Sequence, residues 1–242
     1  MRSAWSVAVM VGMAGPALAA EPDAATLLRR YDEVMGPAFF EMDTSMTAHR
    51  EDGSTRTYKM RVLKSGTEKL RVTFSEPSSA KGQEMLRNGD NLWLYMPNLK
   101  RSVRIASRDS FMGGDFNNAD VLRVNYEADY TGKLTTPSTI PNTYQLELKA
   151  KGPQVAYDVI KLWMTVEAKP LPVRGEFYAS SGKMLRSAQF SEVKDFGQLK
   201  RPAKIMMRNE LATQRYSEML LHTMTVKDSM NQQRFVLDDL GK

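Results

Sequence analysis

The sequence predicts a mainly β protein in which a long antiparallel meander forms one large curved sheet and two or three helices pack on it. Apolar and polar residues alternate with a period of two through much of the chain. Clusters of glycine and polar residues break that alternation at hairpin spacing. Few stretches show the 3.6-residue apolar period of a helix.

The first element is a leader. Arg2 is the only charged residue before Glu21, and an apolar run from Ala4 to Val11 continues through Gly12, Gly15 and Pro16 into Ala17-Leu18-Ala19. A basic start, a short apolar core and an A-x-A end make a secretory signal peptide. Cleavage is expected before Ala20, or one bond later before Glu21. A spanning helix needs about 20 predominantly apolar residues, and this run is shorter and interrupted by small residues and proline. The organisation expected is therefore a signal peptide over 1–19 and a single domain over 20–242, soluble in the periplasm. The chain has no cysteine, so nothing at the cleavage point can carry a lipid and no disulfide can form. Stability must come from a core, and a chain of about 220 residues can bury roughly 70% of its extended surface.

Asp23 to Met35 reads as an amphipathic helix, with Asp23 as N-cap, Leu27, Leu28, Tyr31, Val34 and Met35 on one face, and Gly36-Pro37 as the stop. Strands follow. Phe40, Met42, Thr44 and Met46 alternate with polar neighbours, as do Tyr58, Met60 and Val62, and then Leu70, Val72 and Phe74. Further along, Tyr144, Leu146 and Leu148 alternate in the same way, then Ile160, Leu162, Met164 and Val166, then Val173, Gly175 and Phe177. Turn clusters such as Glu51-Asp52-Gly53-Ser54, Asn88-Gly89-Asp90-Asn91 and Ser180-Ser181-Gly182 separate these runs. Leu92-Trp93-Leu94-Tyr95-Met96 is apolar on both faces, so this strand must be covered on both sides. A second, weaker helix is expected near Asn118 to Tyr126, capped by Asn117 or Asn118, and the tail from Met230 to Leu240 forms a short turn or helix.

Composition narrows the function. The formal charge of +6 falls to +5 once Arg2 leaves with the leader. Basic and acidic residues interleave, apart from the Lys100-Arg101-Ser102-Val103-Arg104 cluster, so nucleic acid is not expected as a partner. A solvated surface, or a mild attraction to anionic head groups, accounts for the excess. Only two histidines exist, His49 and His222, without H-E-x-x-H spacing, so no metal site and no cofactor is expected. No G-x-S-x-G elbow is present. Gly175 and Gly182-Lys183 lack the spacing and the Ser or Thr of a phosphate loop. Carboxylate pairs such as Glu51-Asp52 and Asp238-Asp239 fall in polar or terminal stretches where nothing would tune them for acid–base work. The sequence gives no reason to expect an enzyme.

Methionine is abundant: of 17, three lie in the leader and 14 remain. A Met-rich core is one reading. The other is a cavity between sheet and helices that adapts to acyl chains, since methionine is flexible and polarizable.

A run of motifs then supplies a family. Gly82-Gln83-Glu84-Met85-Leu86-Arg87 is followed by Asn91-Leu92-Trp93-Leu94-Tyr95-Met96-Pro97 and the basic hairpin from Lys100 to Arg104. The segment from Asp109 to Leu122 (DSFMGGDFNNADVL) comes next. Together they resemble the outer-membrane lipoprotein-sorting (LolA-like) family, in its larger branch. The resemblance implies an open, incomplete antiparallel β-barrel with helices covering its hollow, holding lipid or the acyl chains of lipoproteins. It implies a monomer that exchanges cargo with an inner-membrane transporter or exporter. The hollow would be lined by the dry strand faces: Met42, Met46, Met60, Val62, Leu70, Val72, Phe74, Leu94, Leu146, Leu148, Leu162 and Met164. Phe111, Met112, Gly113, Gly114, Phe116, Val121 and Leu122 would form a lid, with the glycine pair as its hinge. A fixed, capped loop is the alternative for that segment. The function expected is a periplasmic lipid or lipoprotein carrier. The alternatives are a non-carrying sensor or accessory module of an envelope export system and, last, an enzyme acting on lipid.

Overall fold

The computed structural model of the protein describes residues 22–242; the expected leader and both candidate cleavage bonds lie outside them. The described chain begins with helix α1 (Ala24–Met35). Asp23 caps it by accepting a hydrogen bond from the Thr26 amide at 2.7 Å, which satisfies one of the first-turn donors. The five apolar residues that the helical period puts on one face are all buried. Gly36 ends the helix for a steric reason: a Cβ there would lie 2.5 Å from the carbonyl oxygen of Val124.

Six strands follow: β1 (Phe39–His49), β2 (Thr55–Ser65), β3 (Lys69–Glu76), β4 (Glu84–Asn88), β5 (Asn91–Met96) and β6 (Arg101–Arg104). Residues 105–129 then hold a 3₁₀ turn (Phe111–Gly113) and two short helices, α2 (Asn118–Leu122) and α3 (Tyr126–Asp129). Seven strands complete the meander: β7 (Tyr130–Thr135), β8 (Thr143–Ala150), β9 (Val159–Thr165), β10 (Pro172–Tyr178), β11 (Met184–Asp195), β12 (Lys200–Asn209) and β13 (Tyr216–Val226). Two 3₁₀ turns, Gln232–Phe235 and Leu237–Asp239, form the tail.

All thirteen strands belong to one antiparallel sheet, ordered β6-β5-β4-β3-β2-β1-β13-β12-β11-β10-β9-β8-β7. Every pairing is between chain neighbours except β1 with β13, which joins the two halves. The edges β6 and β7 do not pair, so the sheet is not closed.

Register carries apolar rows across the concave face. Met224, Met42, Val62, Val72, Met85, Leu94 and Val103 stand opposite one another from β13 to β6. On the other half the row runs Leu134, Leu146, Leu162, Gly175, Ala188, Met207 and Ser217. Period-two alternation turns every second residue of a strand to one face, so a slip of one residue anywhere would expose a whole row.

The strand expected to be covered on both sides is β5. Leu92 and Leu94 face the main interior, while Trp93 and Tyr95 pack outside with Leu63, Leu86, Phe235 and Leu240. The cover is therefore the C-terminal tail. Arg71, from the outer face of β3, holds it in place. Its guanidinium donates to Glu84 at 2.7 Å, to Asp239 at 2.7 Å and to the Arg234 carbonyl at 3.0 Å.

The helix expected over 118–126 is broken. After Leu122 the chain turns at Arg123 (φ −121°, ψ 64°). The buried Arg123 guanidinium there binds Asp129 at 2.8 Å and Asp90 at 3.1 Å. Two ion pairs in place of one more helical turn explain the interruption.

Removing one member of a buried ion cluster strands the others. Arg71→Ala is expected to cost about 3–5 kcal/mol of stability and to release the tail. Urea unfolding and limited proteolysis near Met230 would register both, and an unchanged unfolding midpoint would contradict the assignment.

Candidate functional site

Because β6 and β7 are the two edges of the sheet and are consecutive in sequence, the chain between them must cross the opening. Residues 105–129 make that crossing and pack on the concave face. Phe111, Phe116, Val121 and Leu122 are buried in the same apolar cluster as the strand faces, and the Phe111 ring lies 5.8 Å from that of Phe74.

Local hydrogen bonds shape the crossing. The Phe111 amide donates to the Phe116 carbonyl at 2.8 Å, and the Asn118 amide to the Asp109 carbonyl at 2.8 Å. The Asp120 carboxylate, at the third position of α2, reaches back to the Asn117 amide at 2.7 Å, a capping-box contact. Polar contacts also tie the crossing to the sheet. Buried Asp115 accepts from the Ser217 hydroxyl at 2.9 Å, and its amide donates to that hydroxyl at 2.9 Å. Arg186 donates to the Asp115 carbonyl at 2.9 Å. On the other side, the Asp32 carboxylate of α1 accepts from the amides of Tyr126 and Glu127 at 2.7 and 2.8 Å. Burial pushes the Asp32 carboxyl up to about 6. Lys64, buried beneath, donates to the carbonyls of Gly36 and Pro37 at 2.6 and 2.9 Å, and burial lowers it to about 8.

Ten of the twelve expected lining residues are buried in the concave-face cluster: Met46, Met60, Val62, Leu70, Val72, Phe74, Leu146, Leu148, Leu162 and Met164. Met42 and Leu94 are partly buried against it. Within the crossing segment Met112 is half-buried and Gly113 is exposed. The two glycines differ. Gly113 has a left-handed φ of 78° beside Met112 at 52°. Gly114 is extended, and a Cβ there would come within 3.0 Å of Met46 Cε and 3.1 Å of Ser217 Oγ. One glycine serves backbone conformation and the other serves close approach.

The hollow is mostly filled by the crossing segment and α1. A void of about 70 Å³ remains, bordered by Tyr31, Met35, Phe40, Met42, Asp120, Val121, Val124, Tyr126, Arg201, Ile205 and Met219. That is far below the ~300–1,000 Å³ of a typical ligand pocket, so an acyl chain fits only if the crossing segment moves. A larger, open groove of about 570 Å³ runs between α1, the start of β8 and the end of β9, bordered by Leu27, Arg30, Tyr144 and Val166.

The hollow also holds polar groups that the sequence did not place in the site. Tyr31 stacks on Tyr126 with ring centroids 4.7 Å apart, and Tyr126 meets Tyr130 at 5.4 Å. Tyr157 donates to Asp120 at 2.9 Å. Burial raises all four phenols above their ordinary value and pushes the Asp120 carboxyl up to about 6. Arg201, on β12, is held down to about 10 by the same cause. The histidines lie elsewhere: His49 stacks on Tyr216 at 4.2 Å and His222 shares a 2.8 Å hydrogen bond with Ser45.

An open antiparallel sheet whose concave face is stopped by α1 and by the chain linking its own edges defines a LolA-like open barrel. A LolA superfamily protein from Nitrosomonas europaea is 26% identical with a TM-score of 0.81, over 90% of this chain and 99% of that one. An outer membrane lipoprotein-sorting protein domain from Vibrio parahaemolyticus is 20% identical with a TM-score of 0.74, over 89% and 97%. A DUF1329 family protein from Desulfovibrio piger is 17% identical with a TM-score of 0.79, over 89% and 97%. No curated protein matches the sequence significantly. A family model described as "Uncharacterized protein" matches residues 66–242. The chain belongs to that family, within the LolA superfamily.

Asp120 gives a pH test of this site. Its carboxyl is raised from 3.8 to about 6, so between those values the folded chain keeps a proton that the unfolded chain has lost. Stability from this group therefore falls as pH rises from about 4 to about 6 and stays lower above that. Both hydrogen bonds to Asp120 fall on Oδ2, so an amide oxygen there keeps both. Asp120→Asn should match wild type near pH 4 and exceed it at pH 7 by up to about 3 kcal/mol. Urea midpoints across that range check it, and parallel curves would contradict it.

Proposed function

We propose that the protein is a periplasmic carrier that takes acyl chains of lipids or lipoproteins into the hollow of its open barrel, without catalysing a reaction. The observation that carries this reading is the plug. Phe111, Phe116, Val121 and Leu122 are buried on the concave face by a segment that spans the open edge. Such a segment offers the apolar contacts that an acyl chain would offer in its place. In this reading the twelve strand residues from Met42 to Met164 line the hollow and Phe111 to Leu122 is the lid. The signal peptide over 1–19 delivers the chain to the periplasm, where it exchanges cargo with a membrane transporter as a monomer. Among the described residues, no helix is long and apolar enough to cross a membrane.

Two substitutions separate lining from surface. Leu162 is buried inside and Lys161, its neighbour, lies on the other face beside the Tyr178 ring. Leu162→Glu should abolish binding of a fluorescent fatty acid and lower stability, because an unpaired charge enters an apolar region. Lys161→Glu should do neither, and equal effects would contradict the inward orientation.

The plug is tested by weakening it. Burying a large apolar side chain contributes about 1.5–3 kcal/mol, which favours the closed form that cargo must displace. Phe111→Ala should therefore destabilise the empty protein while binding the fatty acid several-fold more tightly. Weaker binding would make Phe111 part of the pocket wall instead.

A further inference from the structure

Among the described residues, Arg201, like Arg87 and Lys64, is buried without an ion pair. Carboxylates act on both of those other bases, Asp129 and Asp90 on Arg87 and Asp32 on Lys64, whereas no acid among the described residues is so placed beside Arg201. Arg71 pairs with Glu84 and Asp239, and Arg123 with Asp129 and Asp90. Arg87 donates to the carbonyls of Gly89 and Thr67 at 2.9 and 3.0 Å. Arg201 is only 5% exposed and has no carboxylate within ion-pair distance among the described residues. Its Nη1 donates to the Met35 carbonyl at 2.9 Å and its Nε to the Pro202 carbonyl at 3.3 Å. Nη2 makes no hydrogen bond among the described residues, and the side chain borders the void. The one acid on that void, Asp120, is committed to Asn117 and Tyr157.

A desolvated guanidinium without a counter-charge is costly to bury. Closing the end of α1 through the Met35 carbonyl uses Nη1 alone and would be served by a smaller donor. The side chain borders a void whose walls are mainly apolar, among them Phe40, Met42, Val121, Ile205 and Met219, with Tyr31, Tyr126 and Asp120 beside them. A cation at the end of an apolar space suits a molecule with an apolar body and an anionic end, because guanidinium binds carboxylate or phosphate through strong charge-assisted bonds. Resting on the carrier reading, we propose that Arg201 anchors the anionic end group, a carboxylate or phosphate, of the acyl compound that the hollow takes up. Val121, Val124 and Tyr126 belong to the crossing segment, so its departure joins the void to the concave face and gives the chain its path.

The test compares ligands that differ only at the end group. Palmitate, hexadecanol, dioleoyl phosphatidic acid, dioleoylglycerol and inorganic phosphate are titrated into wild type, Arg201→Met and Arg201→Lys, with thermal unfolding of each variant alongside. Wild type should prefer each anionic ligand over its neutral counterpart. Arg201→Met should lose roughly 30-fold or more for the anionic ligands and change by no more than about two-fold for the neutral ones, while Arg201→Lys, which keeps the charge but not the planar fork, keeps only part of the preference. A loss confined to palmitate assigns a carboxylate, and one confined to phosphatidic acid assigns a lipid phosphate. Binding of inorganic phosphate alone, with no acyl preference, would overturn the proposal in favour of a free anion. Equal losses for acid and alcohol would reduce Arg201 to a structural support. If wild type binds palmitate and hexadecanol alike and Arg201→Met changes neither, the anchor fails and the carrier stands. If wild type binds none of the acyl ligands, both fail.

Discussion

The edges β6 and β7 are consecutive in the chain, yet they stand at opposite ends of a thirteen-stranded sheet. The connection between them must return across the opening, and it spans residues 105–129. Unpaired strand edges invite association with other chains. Here β6 is only four residues long and carries exposed Arg101 and Arg104, two of the usual protections. The crossing segment turns the remaining gap into an interior by laying its own apolar side chains on the concave face.

Polar contacts decide how firmly that segment sits. Asp115 fixes it to β13 and β11 through Ser217 and Arg186, while Asp32 fixes its far end to α1. Alongside these anchors, Phe111, Phe116, Val121 and Leu122 make apolar contacts in the cluster on the concave face. Apolar contacts are non-directional and roughly proportional to area, so an acyl chain can replace them without matching any particular geometry. The buried groups around the void show a second pattern. Asp120 and Arg201 both border it, neither pairs with the other, and burial moves each toward its neutral form. A core selected for stability alone would tend to hold apolar residues at both positions.

Much of this was legible in the sequence. Period-two alternation identified β1, β2, β3, β8, β9 and β10 because their inward residues are large and their outward ones polar. The two-faced β5 implied its cover, found in Phe235 and Leu240. The strands β11, β12 and β13 were not singled out. Several of their inward positions are small or polar, among them Ala188, Ala203, Asn209 and Ser217, because the crossing segment needs room there. Arg201 was invisible for a related reason: in Lys200-Arg201-Pro202 it reads as surface, and only the register turns it inward. Asp120 likewise read as part of a capped helix, and its partner Tyr157 is distant in sequence. The pairing of β1 with β13 joins the ends of the meander across the whole chain, and no local pattern announces it.

Amide hydrogen exchange across residues 108–124, with and without a saturating long-chain fatty acid, tests the central claim most directly. If the segment is a plug that cargo displaces, its amides lose their burial when ligand enters, and exchange should quicken there while the paired amides of β2 and β9 stay protected. Slower exchange in 108–124 on ligand addition would make the segment a wall of the pocket. Unchanged exchange despite measured binding would place the cargo elsewhere on the molecule and contradict the account.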